Sequence, residues 1–139
     1  MKAKFYHCPI CGNVVVKLID SGITPSCCEQ PMTLLSPAEA EGKEEYHMPV
    51  VERIGKYGYR VSIGEEPHPM TEAHAIRFVA AVTPLGGAVH MLPNNAPALT
   101  TFCLDDTPCC FYAYCNLHGL WRTKFTPTPC DDVTCRITE

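Results

Sequence analysis

The chain has 139 residues, 46% of them hydrophobic and 19% charged, a globular composition sized for one domain or one domain with a small module. Its formal charge of −4 and pI near 5.8 disfavour a nucleic-acid binder, which carries a basic face. No apolar run of about 18 residues is present to cross a membrane as a helix. What stands out is ten cysteines and six histidines, an excess that calls for a chemical explanation. Residues 1–8 lack the apolar stretch and cleavage site of an export signal, so a cytoplasmic location with reduced thiols is expected. The cysteines then read first as metal ligands or redox groups and second as a disulfide framework.

Residues 1–36 read as a small separate module. Cys8-Pro9-Ile10-Cys11-Gly12 and Cys27-Cys28 bracket it. The run Val14-Val15-Val16-Lys17-Leu18-Ile19 between them is strand-like and ends at the turn signal Asp20-Ser21-Gly22. So short a segment cannot bury a sufficient core, and four thiolates on one metal would staple it. A Cys-x2-Cys pair on a tight turn aims two sulfurs at one ion, and the following glycine lets the backbone fold around them. Cys27 and Cys28 are the nearest second pair. Neighbouring side chains diverge in an extended segment, so adjacent ligands require a bend. On spacing alone zinc is favoured, although four thiolates accept zinc or iron.

Residues 37–44 are small and polar and read as a linker. From 45 to 125 the pattern is a series of about seven short strands: 48–54, 57–63, 75–83, 88–92, 98–104, 109–115 and 118–124. Tyr57, Tyr59, Val61 and Ile63 alternate with polar or small residues at period two, and Pro84-Leu85-Gly86-Gly87 marks a turn. That count suits a small β-sandwich. Thirteen prolines argue against long helices, and 70–73 is at most a turn. Residues 126–139 form a Pro- and Cys-containing tail.

Four histidines and a cysteine fall at strand ends in the second module: His47, His68, His74, Cys115 and His118. Cys115-x2-His118 is a good spacing for two ligands on one turn, and His68 is stiffened between two prolines. Imidazole suits iron, copper, nickel and zinc, and a thiolate adds soft donation. Five ligands on a metal that prefers six leave one position open, which describes a place where a small molecule binds. A thiolate opposite that position would push electron density toward the bound ligand.

Five motifs then occur in one order: Cys8-Pro9-Ile10-Cys11-Gly12-Asn13, Cys27-Cys28-Glu29-Gln30-Pro31-Met32, Glu45-Tyr46-His47-Met48-Pro49-Val50, Pro67-His68-Pro69-Met70 with His74 beyond it, and Tyr114-Cys115-Asn116-Leu117-His118-Gly119-Leu120-Trp121. Through them the sequence resembles the superoxide reductases of the desulfoferrodoxin type. The resemblance implies a mainly β fold, with a desulforedoxin-like module followed by a seven-stranded immunoglobulin-like barrel or sandwich. It implies two iron ions per chain, reversing the preference for zinc. One would be held by Cys8, Cys11, Cys27 and Cys28. The other would be held by His47, His68, His74 and His118 in a plane with Cys115 axial. It further implies reduction of superoxide to hydrogen peroxide, a rubredoxin-like electron donor, and a homodimer formed through the small module. Glu45 matches the family glutamate that ligates the oxidised iron.

Tyr46 departs from the family, which usually has lysine there to attract superoxide and help order protonating water. Lys43, three residues earlier, is a candidate substitute. Backbone N–H groups of Leu117 and His118 are expected to reach the Cys115 sulfur and tune its donation. Cys103, Cys109, Cys110, Cys130 and Cys135 match no family motif. The plain reading makes Cys103 and one of Cys109 and Cys110 buried core residues and the others free thiols. A third four-thiolate site or a redox-sensitive disulfide with the tail is the alternative. Against the enzyme stand two other classes, a non-catalytic iron electron-transfer protein and a zinc-stabilised interaction module.

Overall fold

The computed structural model describes residues 3–39, 47–64 and 68–126. Among them every regular element is a strand. The chain divides between Ser36 and Pro37 into two compact units.

In the first unit β1 (Phe5–His7) pairs antiparallel with β2 (Val14–Val16), while β3 (Ser26–Cys27) pairs with β4 (Gln30–Pro31). The other edge of β1 pairs with β5 (Thr33–Leu34). The run expected through Ile19 stops as a strand at Val16. Asp20 ends it: its carboxylate accepts the Gly22 N–H at 2.9 Å and pairs with Lys17 at 2.8 Å and Lys4 at 2.6 Å, closing a turn that competes with the ladder. Tyr6, Cys8 and Met32 form a core cluster in this unit, with Cys27 packed against it, and Phe5 is buried as well. So few apolar side chains do not hold a fold without a staple.

The second unit has β6 (Pro49–Arg53), β7 (Gly58–Ile63), β8 (Ile76–Thr83), β9 (Gly86–Met91), β10 (Leu99–Cys103), β11 (Cys110–Cys115) and β12 (Gly119–Lys124). They form two antiparallel sheets, β10-β7-β6 and β12-β11-β8-β9. Tyr59, Val61 and Ile63 of β7 face inward as their alternation requires, and meet Val79 and Ala81 of β8 and Phe111 and Ala113 of β11 in one core. The β8–β9 hairpin requires a glycine at 87, because a Cβ there would stand 2.1 Å from the Ala81 carbonyl oxygen. Thr123 Oγ1 donates to the Pro49 carbonyl at 2.7 Å and ties the sheets along one side. Along the other, His90 Nδ1 lies 2.6 Å from Thr100 Oγ1 and its ring stacks on Phe102 at 4.0 Å, which gives His90 a structural role.

Pro37, Ala38 and Glu39, read above as the start of a linker, belong to the second unit. Ala38 N donates to the Leu120 carbonyl at 2.9 Å and the Ala38 carbonyl accepts from Arg122 N at 2.8 Å, and Glu39 pairs with Arg122 and Lys124. The remainder of that segment, with Lys43, Glu45 and Tyr46, lies outside the described residues, as do Cys130 and Cys135. The reading of Cys103 and one of its neighbours as core residues is corrected: Cys103 and Cys109 are exposed and Cys110 is half-buried. Cys103 follows buried Phe102 on β10 and so points to the opposite, outward face.

Candidate metal centres

The Sγ atoms of Cys8, Cys11, Cys27 and Cys28 all lie within 4.8 Å of one another. Two turns build this cluster. Cys8 follows the first strand, and Gly12 N donates to the Cys8 carbonyl at 2.9 Å while Cys8 N donates to the Asn13 carbonyl at 2.8 Å. Gly12 sits at φ +84°, which closes the knuckle. In the second turn Cys27 opposes Gln30 across a two-residue hairpin whose central residues, Cys28 and Glu29, are both left-handed at φ 52° and 62°. This is the bend that adjacent ligands need, in the primed geometry that suits a tight hairpin. Holding non-glycine residues there costs roughly 1–2 kcal/mol each.

The sulfurs crowd one another. Cys11 Sγ is 3.5 Å from Cys27 Sγ, and Cys27 Sγ is 4.0 Å from Cys28 Sγ. Hydrogen bonding from the backbone N–H of Cys11 pulls the Cys8 thiol down to about 6. Its neighbours Cys11 and Cys8 push the Cys28 thiol up to about 12. Four thiolates do not ionise side by side without a cation between them, so the donor set fits a soft metal ion. Asn13 Nδ2 donates to Cys27 Sγ at 3.6 Å, an outer contact that spacing did not reveal.

In the second unit His47 precedes β6, His68 follows β7, His74 precedes β8, and Cys115 and His118 belong to the β11–β12 hairpin. The hairpin explains the Cys-x2-His spacing: Cys115 pairs with Gly119, which leaves His118 in a three-residue loop, and Gly119 turns the chain at φ +84°. The four imidazoles close a ring. Centroids are 5.0 Å apart for His47 and His68, 4.8 Å for His68 and His74, 5.0 Å for His74 and His118, and 4.7 Å for His118 and His47. Each pair meets edge to face at 68–79°.

Ligand atoms of His47, His74, Cys115 and His118 lie within 4.8 Å of one another, a distance that His68 does not meet for all of them. His118 presents Nδ1, which is 2.9 Å from His47 Nε2 and 3.6 Å from Cys115 Sγ. His47, His68 and Cys115 are buried, His74 is half-buried and His118 is exposed.

Nε2 of His68 and Nε2 of His74 are buried without a hydrogen-bond partner. An unmet buried nitrogen costs about 1–3 kcal/mol, and a cation within the ring would meet both. Burial pulls the His68 imidazole down to about 4 and lowers His74 in the same way, so both rings are neutral at pH 7 and offer lone pairs. His68 Nδ1 donates to the Pro69 carbonyl at 2.7 Å, which leaves Nε2 free for a metal. Burial pushes the Cys115 thiol up, opposed by backbone hydrogen bonds from Leu117 and His118, the contacts that the spacing suggested. The residues present therefore fit a metal ion with mixed imidazole and thiolate donors.

The family model described as "Desulfoferrodoxin" matches residues 39–124, and "Desulfoferrodoxin, N-terminal domain" matches residues 1–35. The chain belongs to the desulfoferrodoxin family. A desulfoferrodoxin from Nitratidesulfovibrio vulgaris is 34% identical over 122 residues, covering 87% of this chain and 95% of that one. A superoxide reductase from Thermococcus kodakarensis is 35% identical over 103 residues, 60% of this chain and 89% of the other. The crystal structure of the superoxide reductase from Treponema pallidum superposes with a TM-score of 0.77 at 28% identity, covering 88% of this chain and 98% of that one. Desulfoferrodoxins carry two iron centres, and the two clusters are the places for them here, so iron replaces the zinc that spacing alone favoured. The chain is an oxidoreductase.

Two side chains at the second centre were not singled out by sequence reasoning, although both lie inside the last motif. Trp121 stacks on His47 at 4.6 Å and 13°. Asn116 bonds to the segment that carries His74.

Proposed function

We propose that the chain reduces superoxide by one electron, with uptake of two protons, to hydrogen peroxide at the site formed by His47, His68, His74, His118 and Cys115. The observation that carries this reading is the closed ring of four imidazoles beside one buried thiol. These residues would hold iron, which would supply the electron and, with five protein donors, could still take a small anion. The residues around it do the rest. Pro69 fixes the tautomer of His68, Trp121 holds the plane of His47, and the Leu117 and His118 N–H groups temper the charge on Cys115. Exposed His118 beside half-buried His74 gives a small anion a way in, while His47 and His68 line the inner side.

The family pattern assigns Glu45 a hard carboxylate donor for the oxidised ion. Tyr46 stands where the family lysine would supply a steering charge, and the electron donor is a rubredoxin-like protein. The first unit exposes Leu18, Ile19 and Ile23, at 82%, 89% and 74%, an apolar surface that supports a homodimer through this unit. A reducing cytoplasm is the compartment that keeps both clusters as thiols.

The test is direct. Reduced protein mixed with an enzymatic superoxide source should consume one superoxide per second-site iron and release peroxide without evolving oxygen, and Cys115→Ser should abolish this. Iron-loaded wild-type protein that consumes no superoxide would refute the reading.

A further inference from the structure

Asn116 stands between two of the five donors, Cys115 and His118, and every polar group it has on that side is spent on the segment around a third, His74. Its Oδ1 accepts the Ala75 N–H at 3.0 Å, its Nδ2 donates to the Ala73 carbonyl at 2.9 Å, and its backbone N donates to the Ala75 carbonyl at 3.2 Å. The two side-chain bonds bracket His74, one on each side, across more than 40 residues of sequence.

The need for them is visible in the sheet. The β8–β11 ladder shifts register between Tyr114 and Cys115, and its last pair is Cys115 with Ile76. Beyond that rung, regular pairing does not fix the distance between the two ligand-bearing loops. The carboxamide of Asn116 continues the ladder past its end, because it offers one acceptor and one donor as a peptide group does.

The rest of the His74 loop is locked locally. Thr71 N donates to the His74 carbonyl at 2.9 Å, and Thr71 Oγ1 accepts from His74 N at 3.1 Å and lies 3.2 Å from its carbonyl. Thr71 thus sets the shape of the loop, and Asn116 sets its position against the β11–β12 hairpin. The His74 ring touches the rings of His68 and His118, so a shift of its backbone opens the imidazole ring itself.

We infer that Asn116 is a positioning residue that clamps the His74 loop to the Cys115–His118 hairpin and thereby sets metal retention and thiolate geometry at the second centre. The inference rests on the reading of that centre as an iron site. Aspartate at 116 keeps the acceptor for Ala75 N and loses the donor to Ala73; alanine loses both.

The test uses the full chain with both sites loaded with iron. It follows the loss of second-site iron to a chelator and the visible thiolate-to-iron absorption of the oxidised protein. Outer contacts of this kind are worth about 10–100-fold in metal affinity. Asn116→Ala should therefore release second-site iron about 10–100 times faster, with a displaced thiolate band, while the four-cysteine site keeps its own iron and spectrum. Asn116→Asp keeps the acceptor for Ala75 N but sets a carboxylate oxygen against the Ala73 carbonyl, so it too should release second-site iron faster than wild type, and it decides the matter if the alanine variant does not fold. Folded variants that only melt earlier, with wild-type release and an unmoved band, would overturn the inference. Wild-type protein that holds no iron at the second site would instead overturn the reading of that site.

Discussion

Trp121 is the single tryptophan of the chain, and its environment makes a quantitative demand. It is 3% exposed, lies flat against His47, and its Nε1 is buried with no hydrogen-bond partner. Replacing it by phenylalanine keeps an aromatic face for His47 and removes the unmet N–H. The smaller ring gives up roughly 50 Å² of buried area, about 1.3 kcal/mol. Loss of the unsatisfied donor returns about 1–3 kcal/mol. The two effects oppose each other, so Trp121→Phe should lie between about 0.3 kcal/mol less stable and about 1.7 kcal/mol more stable than wild type. Trp121→Ala loses the packing and the stack together, about 4–6 kcal/mol. Urea unfolding of metal-depleted protein, followed by far-ultraviolet circular dichroism, measures both. If Trp121→Phe cost more than about 3 kcal/mol, the indole N–H would have a partner after all.

Further outcomes follow from other parts of the chain. Tyr46→Lys should raise the bimolecular rate with superoxide and make it fall more steeply with salt, because steering depends on local charge; pulse radiolysis at two ionic strengths reads this, and a wild-type rate already diffusion-limited and salt-steep would point to Lys43. The folded His68 imidazole titrates at about 4 against an ordinary 6.5, so between those values the unfolded chain takes up a proton that the folded chain refuses. Stability of the metal-free protein should be full above pH 6.5 and fall as the pH drops toward 4, and His68→Gln should flatten that slope in thermal melts. Glu39→Ala removes the carboxylate from half-buried Arg122, whose Nε is already unmet. It should lower the urea midpoint. A thiol reagent on the folded iron-loaded protein should label Cys103 and Cys109 before Cys115, with peptide mass mapping as the check, since the first two are exposed and the third is buried.

Both clusters were legible because metal sites write themselves into residue type and spacing. Cys8-x2-Cys11 and Cys115-x2-His118 are short-range geometry, and the bend demanded by Cys27-Cys28 is the left-handed hairpin at Cys28 and Glu29. The β-rich second unit was legible for a similar reason: Tyr59, Val61 and Ile63 alternate with solvent-facing neighbours, and that parity fixes which face is buried. The same parity defeated the reading of Cys103. Cysteine is a small apolar residue that suits a core, but Phe102 took the inward position and sent its neighbour outward.

What the sequence withheld is long-range by nature. Leu18 and Ile19 look like a strand until the Asp20 turn, held by Lys4 from 16 residues away, is known. Ala38 looks like linker until the edge of β12 is there to pair with it. Asn116 and Trp121 sit inside a recognisable motif, yet their partners, Ala73, Ala75 and His47, lie more than 40 residues upstream. The candidate donors are thus marked locally in this chain, whereas the spacing between them at the second centre depends on contacts between loops that only the folded sheet brings together. That distinction gives the substitutions different signatures. Changing a donor such as Cys115 should remove the site, and changing Asn116 should leave every donor in place and loosen the grip.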